Sequence, residues 1–574
     1  MHPHYWASPE TIAVNRLPML NIEHFEKLSL DGVWRFQLLA KPTDAPRKRW
    51  IKVPVPSLWS IAEVNGKIVN SVTHTEGGLP FDLLPPEVPV DNPTGVYERD
   101  FEIPGSWENK RVVLHLSGFE SVARVWVNNE VVGIGKDSRL ASEFDITKCI
   151  RGGKNTLRID ISKWSDGTFL EDVDHSWHGG ISRSVKLYAT SEVFIERLYT
   201  TAGLSKDMKS GTLEIEAFIG SINGRSREGY TLRAKVEEIP KSKSANLAET
   251  IDADSASTTA EIFFSTSISK VLTWNAETPH LYTLVFELVD PEGAIVEISS
   301  QKIGFRTVKV KGAELLVNGV PVSLRGVNRD EFNSSIGRSF SREELRQLLF
   351  ELKRKNINAL YTSHLPSDPV LLDLCDELGF YLISEPNLHL IPIASYISED
   401  PRYLAAFLDR TSRHVQRDIH HPAIIGWSLG NQADSGINFE TAATYLENMD
   451  PSRPLLGPLG ELEIDFDDVI PVLTLTSKKA STGKFLLTNN QDFSNLSEYE
   501  LHWLIQREGA ELAAGKLTLP SVAPGKSAVI TLKSSALTKP AGKGKRSLTL
   551  IARHKSSRPW AGAHAESAQF HFSL

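Results

Sequence analysis

The stretch Ile419-His-His-Pro-Ala-Ile-Ile-Gly-Trp-Ser-Leu-Gly-Asn-Gln432 decides the fold of this chain. Its apolar run from Ala423 to Trp427 predicts a buried strand, and Gly430-Asn431-Gln432 then predicts a turn that ends in polar side chains. A (β/α) barrel delivers its functional side chains from the C-terminal ends of parallel strands in this way. The stretch therefore predicts one barrel strand with a candidate site at its tip.

The sequence on both sides of this strand alternates between short apolar runs and amphipathic helical patterns. The first helical pattern opens with Ser341-x-x-Glu344, which is a capping box. Such alternation is typical of a barrel, but it supplies about five strands where closure needs about eight. We therefore expect an incomplete, about five-stranded TIM-type barrel over residues 308–477. Its strands are predicted at residues 322–328, 358–361, 380–384, 423–427 and 468–474.

The regions that flank the barrel show the period-2 pattern of β-strands. Residues 1–192 contain many short strands with frequent turns, including the hairpin Val127-Asn-Asn-Glu-Val131, and predict a jelly-roll sandwich. Residues 193–307 continue the alternation and predict an immunoglobulin-like sandwich. The pattern returns after a polar linker at residues 478–483, so residues 478–574 predict a C-terminal β-sandwich.

Composition limits the class of protein and of partner. The 574-residue chain is 41% hydrophobic and carries a net charge of -8, which disfavours nucleic acid and anionic membranes as partners. No run of 18 apolar residues predicts a membrane span, and the N-terminus predicts no signal peptide. Cys149 and Cys375 give no disulfide or metal framework. A cytoplasmic protein is the simplest interpretation.

Several long motifs follow one another along nearly the whole chain. They are Asp91-Asn-Pro-Thr-Gly95, Gly135-Lys-Asp-Ser-Arg-Leu-Ala-Ser-Glu-Phe-Asp145, Trp164-Ser-Asp-Gly-Thr-Phe-Leu-Glu-Asp-Val-Asp174, Arg325-Gly-Val-Asn-Arg329, Asn358-Ala-Leu-Tyr-Thr-Ser-His-Leu-Pro366, Gly430-Asn431 and Asn495-Leu-Ser-Glu-Tyr-Glu-Leu-His-Trp503. In this order they resemble family 2 of the glycoside hydrolases, in particular the lactose-type β-galactosidases. The resemblance is specific for ancestry and fold, and less so for activity.

The resemblance implies hydrolysis of a terminal β-galactoside by two glutamates, but the chain departs from the family at both. Retaining hydrolysis needs two carboxyl groups about 5 Å apart, one ionised and one protonated. The family's acid/base glutamate follows Gly-Asn, where this chain has Gln432, and an amide cannot act as a general acid. The nucleophile belongs to a seventh strand that the sequence does not predict. Gln432 is either native or an engineered Glu→Gln change, and the engineered alternative leaves the other departures unexplained.

The resemblance also implies metal ions. The family's magnesium ligands form a Glu-x-His pattern after the third strand, and His389 and Ile391 stand at those two positions here. Magnesium prefers oxygen donors, so we expect its site to be lost. A sodium ion would bind near Asp174, and no other cofactor is predicted.

Sugar-binding candidates come from both the first sandwich and the barrel. Asn92 and Asp174 match sandwich residues that reach the sugar or sodium in the family, although such residues usually form turns. His364 matches a sugar-contacting histidine at the end of the second strand, and Asn431 lies beside Gln432; their alternatives are structural roles. The rings of Trp177, Tyr361 and Trp427 could stack on a sugar, with core packing the alternative for Trp427.

The remaining carboxylates on the predicted rim are candidates for catalysis. Glu385 ends the third strand and is the best single candidate. Asp330, which stands where the family has a sugar-binding histidine, Glu331 and Asp434 are the others. Two carboxylates at about 6.5 to 9.5 Å could support inversion through a water molecule. For each of them the alternative is a solvated charge or a structural ion pair.

Two functions therefore remain open. One is hydrolysis of a terminal β-galactoside by atypical or impaired catalytic residues, which a neighbouring subunit could complete. The other is galactoside binding, or a structural role, without catalysis. Because an unclosed sheet exposes its edges, we also expect a homo-oligomer whose interface covers the opened barrel.

Overall fold

The computed structural model describes most of the chain. The described residues are 4–19, 21–64, 67–70, 72–74, 81–171, 176–237, 246–250, 259–329, 331–333, 337–390, 396–430, 436–463, 465–538 and 544–574. Three β-rich units surround a parallel α/β unit, as the sequence predicts. No described helix is long and apolar enough to cross a membrane.

The first unit is a two-layer antiparallel sandwich. Its six-stranded sheet has the order β11-β10-β13-β8-β2-β3 and its four-stranded sheet the order β1-β16-β9-β12. Asn128 and Asn129 adopt positive φ in the predicted hairpin between β10 and β11. The strands are β1 (Lys27–Ser29), β2 (Gly32–Leu39), β3 (Ile51–Val55), β4 (Ser57–Leu58), β5 (Glu63–Val64), β6 (Lys67–Ile68), β7 (Thr73–His74), β8 (Thr94–Glu102), β9 (Arg111–Leu116), β10 (Val122–Val127), β11 (Glu130–Lys136), β12 (Ser142–Asp145), β13 (Lys154–Ser162), β14 (Ser176–Trp177), β15 (Gly180–Ile181) and β16 (Val185–Thr190).

The second unit is a smaller sandwich with sheets of the order β17-β18-β21 and β20-β19-β22-β23. Alternate residues of these strands are buried, which is the pattern of sheets that face each other across a core. The strands are β17 (Val193–Leu204), β18 (Ser210–Ser221), β19 (Thr231–Glu237), β20 (Asn246–Thr250), β21 (Thr259–Ser269), β22 (Tyr282–Val289) and β23 (Ile295–Ile303).

The third unit contains a parallel sheet of five strands in the order β27-β28-β29-β30-β31. Ser341 and Glu344 form the predicted capping box. The elements are β24 (Val308–Lys311), β25 (Glu314–Val317), β26 (Val320–Pro321), β27 (Gly326–Asn328), α1 (Arg342–Arg354), β28 (Ala359–Tyr361), α2 (Pro369–Leu378), β29 (Tyr381–Ser384), α3 (Leu404–Asp418), β30 (Ile424–Ser428), α4 (Ile437–Met449) and β31 (Leu455–Leu456).

The fourth unit is an antiparallel sandwich with sheets of the order β32-β33-β36 and β35-β34-β37-β38. Its buried side chains form a core separate from that of the barrel. The elements are β32 (Leu473–Thr476), β33 (Lys484–Asn489), β34 (Tyr499–Arg507), β35 (Ala510–Thr518), β36 (Ser527–Thr531), α5 (Ser535–Thr538), β37 (Arg546–His554) and β38 (Glu566–Ser573).

The prediction of a barrel strand at residues 468–474 is wrong. The fifth parallel strand is Leu455–Leu456, and Leu473–Thr476 pairs antiparallel with β33 in the terminal sandwich. Residues 478–483 accordingly form a turn inside that sandwich and not a linker before it. The fifth strand was missed because two residues are too few to show a period.

The first barrel strand is shorter than predicted. Only Gly326–Asn328 of residues 322–328 pairs with β28, while Val320–Pro321 belongs to a small antiparallel sheet with β25. Leu324 is buried, but Val322 and Ser323 are only half-buried.

Residues 457–472, which we call the closing segment, join the two edges of the parallel sheet. At one edge, Leu462 forms a parallel bridge with Leu456, and the Gly457 N–H donates to the Leu462 carbonyl at 2.9 Å. At the other edge, the Asp467 N–H donates to the Leu324 carbonyl at 2.8 Å. The closing segment therefore bonds to the last strand and to the residue that lies two positions before the first strand.

The side chains of the closing segment also pack against the barrel core. Leu459, Leu462 and Phe466 are half-buried against it. A Cβ atom placed on Gly326 would lie 2.2 Å from the Phe466 ring, so the glycine makes room for the aromatic side chain. The chain therefore covers part of the opening itself, and the homo-oligomer whose interface covers the rest stays a prediction.

The contact between Phe466 and Gly326 predicts non-additive effects on stability. Phe466→Ala should lower the free energy of unfolding by about 1–3 kcal/mol, because it leaves a gap beside the first strand. Gly326→Ala should also destabilise the protein, because its methyl group meets the ring. In the double variant the Gly326→Ala cost should largely vanish, as measured in a double-mutant cycle by urea denaturation. Additive costs would show that the two residues do not pack together.

Candidate active site at the barrel rim

Glu385 follows strand β29 and lies buried at the C-terminal rim of the parallel sheet, with 1% of its surface exposed. Its Oε1 accepts hydrogen bonds from the Tyr361 hydroxyl and from Ser428 Oγ, the latter at 3.0 Å. Its Oε2 accepts the backbone N–H of His364 at 2.5 Å. These donors come from the ends of β28 and β30, so three neighbouring strands converge on one carboxylate.

The donors around Glu385 favour its ionised form. Burial raises the pKa of its carboxyl, but hydrogen bonding and charge from His364 and the hydrogen bond from Tyr361 outweigh burial and leave the pKa below its ordinary value. Burial and the neighbouring carboxylate raise the pKa of the Tyr361 hydroxyl, which therefore stays protonated as a donor. The group at the centre of the rim is thus a fixed anion and not a proton donor.

Two histidine rings lie next to this anion. His364 and His389 stack with ring centroids 3.8 Å apart and an angle of 26° between their planes. The Nδ1 atom of His364 lies 3.3 Å from Glu385 Oε2. Both histidines are half-buried, whereas Glu385 is covered, so the imidazole pair presents the site to a ligand.

Loops of the first sandwich hold the segment that carries His389. The Asn387 Nδ2 group donates to Asp137 Oδ1 at 2.9 Å, and the His389 N–H donates to the Leu170 carbonyl at 2.8 Å. Helix α3 contributes Arg410, which donates to the Asn387 carbonyl at 2.9 Å and forms an ion pair of 2.6 Å with Glu171. The site is therefore built jointly by the sandwich and the barrel.

Glu331 does not join Glu385 in a carboxylate pair. It is 1% exposed, and its Oε2 accepts from Arg183 at 2.9 Å while its Oε1 accepts the Asp368 N–H at 3.0 Å. Burial raises the pKa of its carboxyl, but Arg183 and Arg329 outweigh burial and lower it. These bonds favour the structural alternative, because both carboxylate oxygens already have partners.

Asn92 and Trp177 are both buried in the first sandwich. The Asn92 side chain donates to the Trp164 carbonyl at 2.8 Å and accepts the Trp164 N–H at 2.9 Å, so its amide serves a backbone connection. Trp177 contacts the edge of Trp164 with ring centroids 5.9 Å apart and is 7% exposed. The sequence led us to expect that both side chains would contact a ligand. In the structure both are buried within the sandwich.

Several candidates lie outside the described residues. They are Asp174, Asp330, Ile391, Asn431, Gln432 and Asp434. Of the other aromatic candidates, Tyr361 serves Glu385, and Trp427 is buried and donates to Asp450 Oδ2 at 2.8 Å. Sequence reasoning did not predict a role at the site for Ser428, Asp137 or Arg410, because their partners are distant in the chain.

Family models match the chain in four consecutive blocks. They are a glycosyl hydrolases family 2 sugar binding domain at residues 27–191, glycosyl hydrolases family 2 at 193–306, the glycosyl hydrolases family 2 TIM barrel domain at 308–480, and beta-galactosidase domain 4 at 485–574. A β-galactosidase from Psychromonas ingrahamii is 32% identical over 459 residues, which are 78% of this chain and 44% of the relative. The chain belongs to glycoside hydrolase family 2.

Other relatives agree with this family. A β-galactosidase from Pseudoalteromonas haloplanktis is 32% identical over 495 residues, which are 81% of this chain and 47% of the relative. The chain thus spans about half the length of these relatives. A solved β-glucuronidase from Bacteroides uniformis superposes with a TM-score of 0.63 at 15% identity, covering 96% of this chain and 80% of that one. A solved β-glucuronidase from Ruminococcus gnavus superposes with a TM-score of 0.61 at 21% identity, covering 77% of this chain and 74% of that one. These two structures show the fold.

The side chains at the family's magnesium position do not suit that ion. His389 offers imidazole nitrogen and stacks on His364, and Ile391 has no donor atom. A hard cation such as magnesium prefers oxygen ligands. Within the described ranges, no three His, Cys, Asp or Glu side chains form a metal-binding group. We assign no chemical step to a metal.

The hydrogen bonds to Glu385 predict a pH-dependent contribution to stability. Glu385→Gln should lower the free energy of unfolding by about 1–3 kcal/mol at neutral pH, because the amide nitrogen cannot accept a hydrogen bond. The folded pKa is lowered, so this stabilisation is present above the unfolded pKa of about 4.3 and is lost as pH falls through the folded value. Urea denaturation across this range measures it, and a difference that grows on acidification would contradict the assignment.

Metal removal gives a second prediction. Chelation should change ligand binding and any hydrolysis by less than about twofold, because His389 and Ile391 supply no oxygen donors for magnesium. Calorimetry with a galactoside, before and after EDTA treatment, measures the effect without depending on turnover. Loss of binding that is restored by added magnesium would overturn the assignment.

Proposed function

We propose that this chain is a glycoside hydrolase of the β-galactosidase type, acting on a terminal β-galactoside with catalysis impaired at its acid/base position. The observation that carries the proposal is the buried Glu385 carboxylate at the barrel rim, with His364 Nδ1 3.3 Å from its Oε2 and His389 stacked on His364. The β-galactosidases that are 32% identical to this chain support the substrate class.

The rim suits a reaction that develops positive charge on a sugar ring. Glycoside hydrolysis passes through a transition state that resembles an oxocarbenium ion. A preorganised anion in dry surroundings stabilises such charge more strongly than water does. Because Glu385 is covered by protein, it acts as a positioning residue that fixes His364, while the two imidazole rings face the sugar hydroxyls.

In this proposal neither Gln432 nor Glu385 provides general acid catalysis. Gln432 has no proton to give to the leaving group, and Glu385 is ionised. Of the other buried carboxylates near the site, Glu331 is bound by Arg183 and Glu171 pairs with Arg410. We therefore propose slow hydrolysis in which a water molecule bonds to the anomeric carbon as the bond to the leaving group breaks. The leaving group departs as an oxyanion and the proton of the water passes to solvent.

Leaving-group dependence tests this proposal. Aryl β-galactosides with acidic phenols should be hydrolysed at least about 100-fold faster than lactose, because general acid catalysis contributes about 10²–10⁴-fold only where the leaving group needs it. Gln432→Glu should raise the rate on lactose more than on the activated substrate. Glu385→Gln should lower both rates, and Glu314→Gln, at an exposed position of β25, is the matched control. Equal rates on both substrates would show that a proton donor is present.

Galactoside binding without hydrolysis is the second candidate. It is favoured by the three donors that already occupy the Glu385 oxygens and leave them poorly placed to react. Calorimetry with a non-hydrolysable thiogalactoside distinguishes the two functions. Binding without turnover of the activated aryl galactoside supports this second function, and the absence of both binding and turnover contradicts both.

The setting of the protein forms part of the proposal. We propose a cytoplasmic homo-oligomer whose partner is a β-galactoside or a related oligosaccharide, and not nucleic acid or a membrane. The net charge of -8 supports the exclusion of polyanions. A sodium ion near Asp174 remains part of the same proposal.

A further inference from the structure

A cavity of about 820 Å³ lies outside the barrel, where three units meet. One wall is the four-stranded sheet of the first sandwich, the second is helix α2, and Ser300 of the second sandwich lines the third side. Glu385, His364 and His389 do not line it. The cavity is therefore distinct from the rim site, and its volume falls within the range of about 300–1,000 Å³ that small-molecule sites occupy.

The sheet wall concentrates cationic side chains. Lys186 on β16 lies in register with His115 on β9, and Lys27 on β1 lies in register with Tyr188, two residues further along β16. Side chains of residues two apart on a strand project from the same face, so Lys186 and Tyr188 share this wall. Like charges that face each other across strands are unfavourable.

Most charges on the cavity walls already have partners. Lys27 pairs with Glu23, and His115 Nδ1 lies 2.5 Å from Glu143 Oε1. On α2, Asp373 and Glu377 both pair with Arg342, at 3.4 Å and 2.5 Å respectively. The paired groups present many hydrogen-bond donors and acceptors but little net charge.

Lys186 is the exception. Its ammonium makes no hydrogen bond or salt bridge with any residue in the described ranges. Burial and the charge of Lys27 lower the pKa of this lysine, although Glu143, Glu23 and Asp368 act in the opposite direction from a distance. A half-buried ammonium beside an imidazole and a second lysine is costly unless an anion neutralises it.

We infer that this cavity binds a saccharide that carries one anionic group, a uronate carboxylate or a sulfate ester, with the anion on Lys186. The paired walls can exchange hydrogen bonds with hydroxyl groups, and the half-buried Lys186 ammonium is the charge that the anion would neutralise. Lys302 also lines the cavity, but it is exposed and donates to Thr283 Oγ1. The inference does not depend on hydrolysis at the rim.

Calorimetry with three probes tests the chemistry of the ligand. Digalacturonate and a disaccharide that contains galactose 6-sulfate distinguish the two anions, and uncharged galactobiose is the control. Lys186→Met should weaken the charged probe about tenfold or more, because one charge-assisted hydrogen bond is lost. Lys186→Arg should retain most of the affinity. Lys209→Met, at an exposed turn, should leave it unchanged.

Two further variants test the location independently of Lys186. Ser300→Trp fills the cavity from the opposite wall and should abolish binding, whereas Glu385→Gln at the rim should preserve it. The inference is overturned if galactobiose binds as tightly as the charged probes, or if neither charged probe binds. It is also overturned if Glu385→Gln abolishes binding while Lys186→Met and Ser300→Trp do not.

Discussion

A parallel sheet of five strands has two edges, and the stability of this barrel depends on how the backbone groups at those edges are satisfied. The closing segment bonds to both, through Leu462 beside Leu456 and Asp467 beside Leu324. Hydrogen bonding at an edge does not require a full βα unit, because one extended segment can offer the same groups. The segment also places the Phe466 ring against Gly326 of the first strand. The barrel unit thus meets the edge requirement within one chain.

The second constraint is the cost of buried charge at the contact between the first sandwich and the barrel. Arg410 from helix α3 is buried beside Glu171 and Asp137 from the sandwich, and such charges are tolerated only when they are paired. The same arginine donates to the carbonyl of Asn387, two residues before His389. Removing the sandwich would leave this cation unpaired and release the segment that carries the imidazole pair. The sugar binding domain is therefore part of the candidate site.

The sequence predicted elements whose signal is local and missed those that depend on distant partners. The capping box at Ser341 and the apolar run around Ile425 were recognised, because each is complete within a few residues. Strand Leu455–Leu456 was missed because it is two residues long, between Pro454 and Gly457. Glu385 was correctly placed on the rim by its position after a strand. The sequence did not predict that Tyr361 and Ser428 would cover Glu385, because those residues lie on other strands and meet it only in the folded sheet.

The departures from the family fall on residues of different kinds, and this explains why the fold persists. Buried pairs such as Arg183 and Glu331 are costly to change one at a time, because the surviving charge would remain unpaired in the interior. A residue whose role is proton transfer carries no comparable penalty, so an amide at Gln432 can replace a carboxyl group without unfolding the barrel. Glu385 belongs to the first kind, since three donors depend on its charge. Its presence is therefore expected from folding alone, and the chemistry of the rim must be judged by turnover.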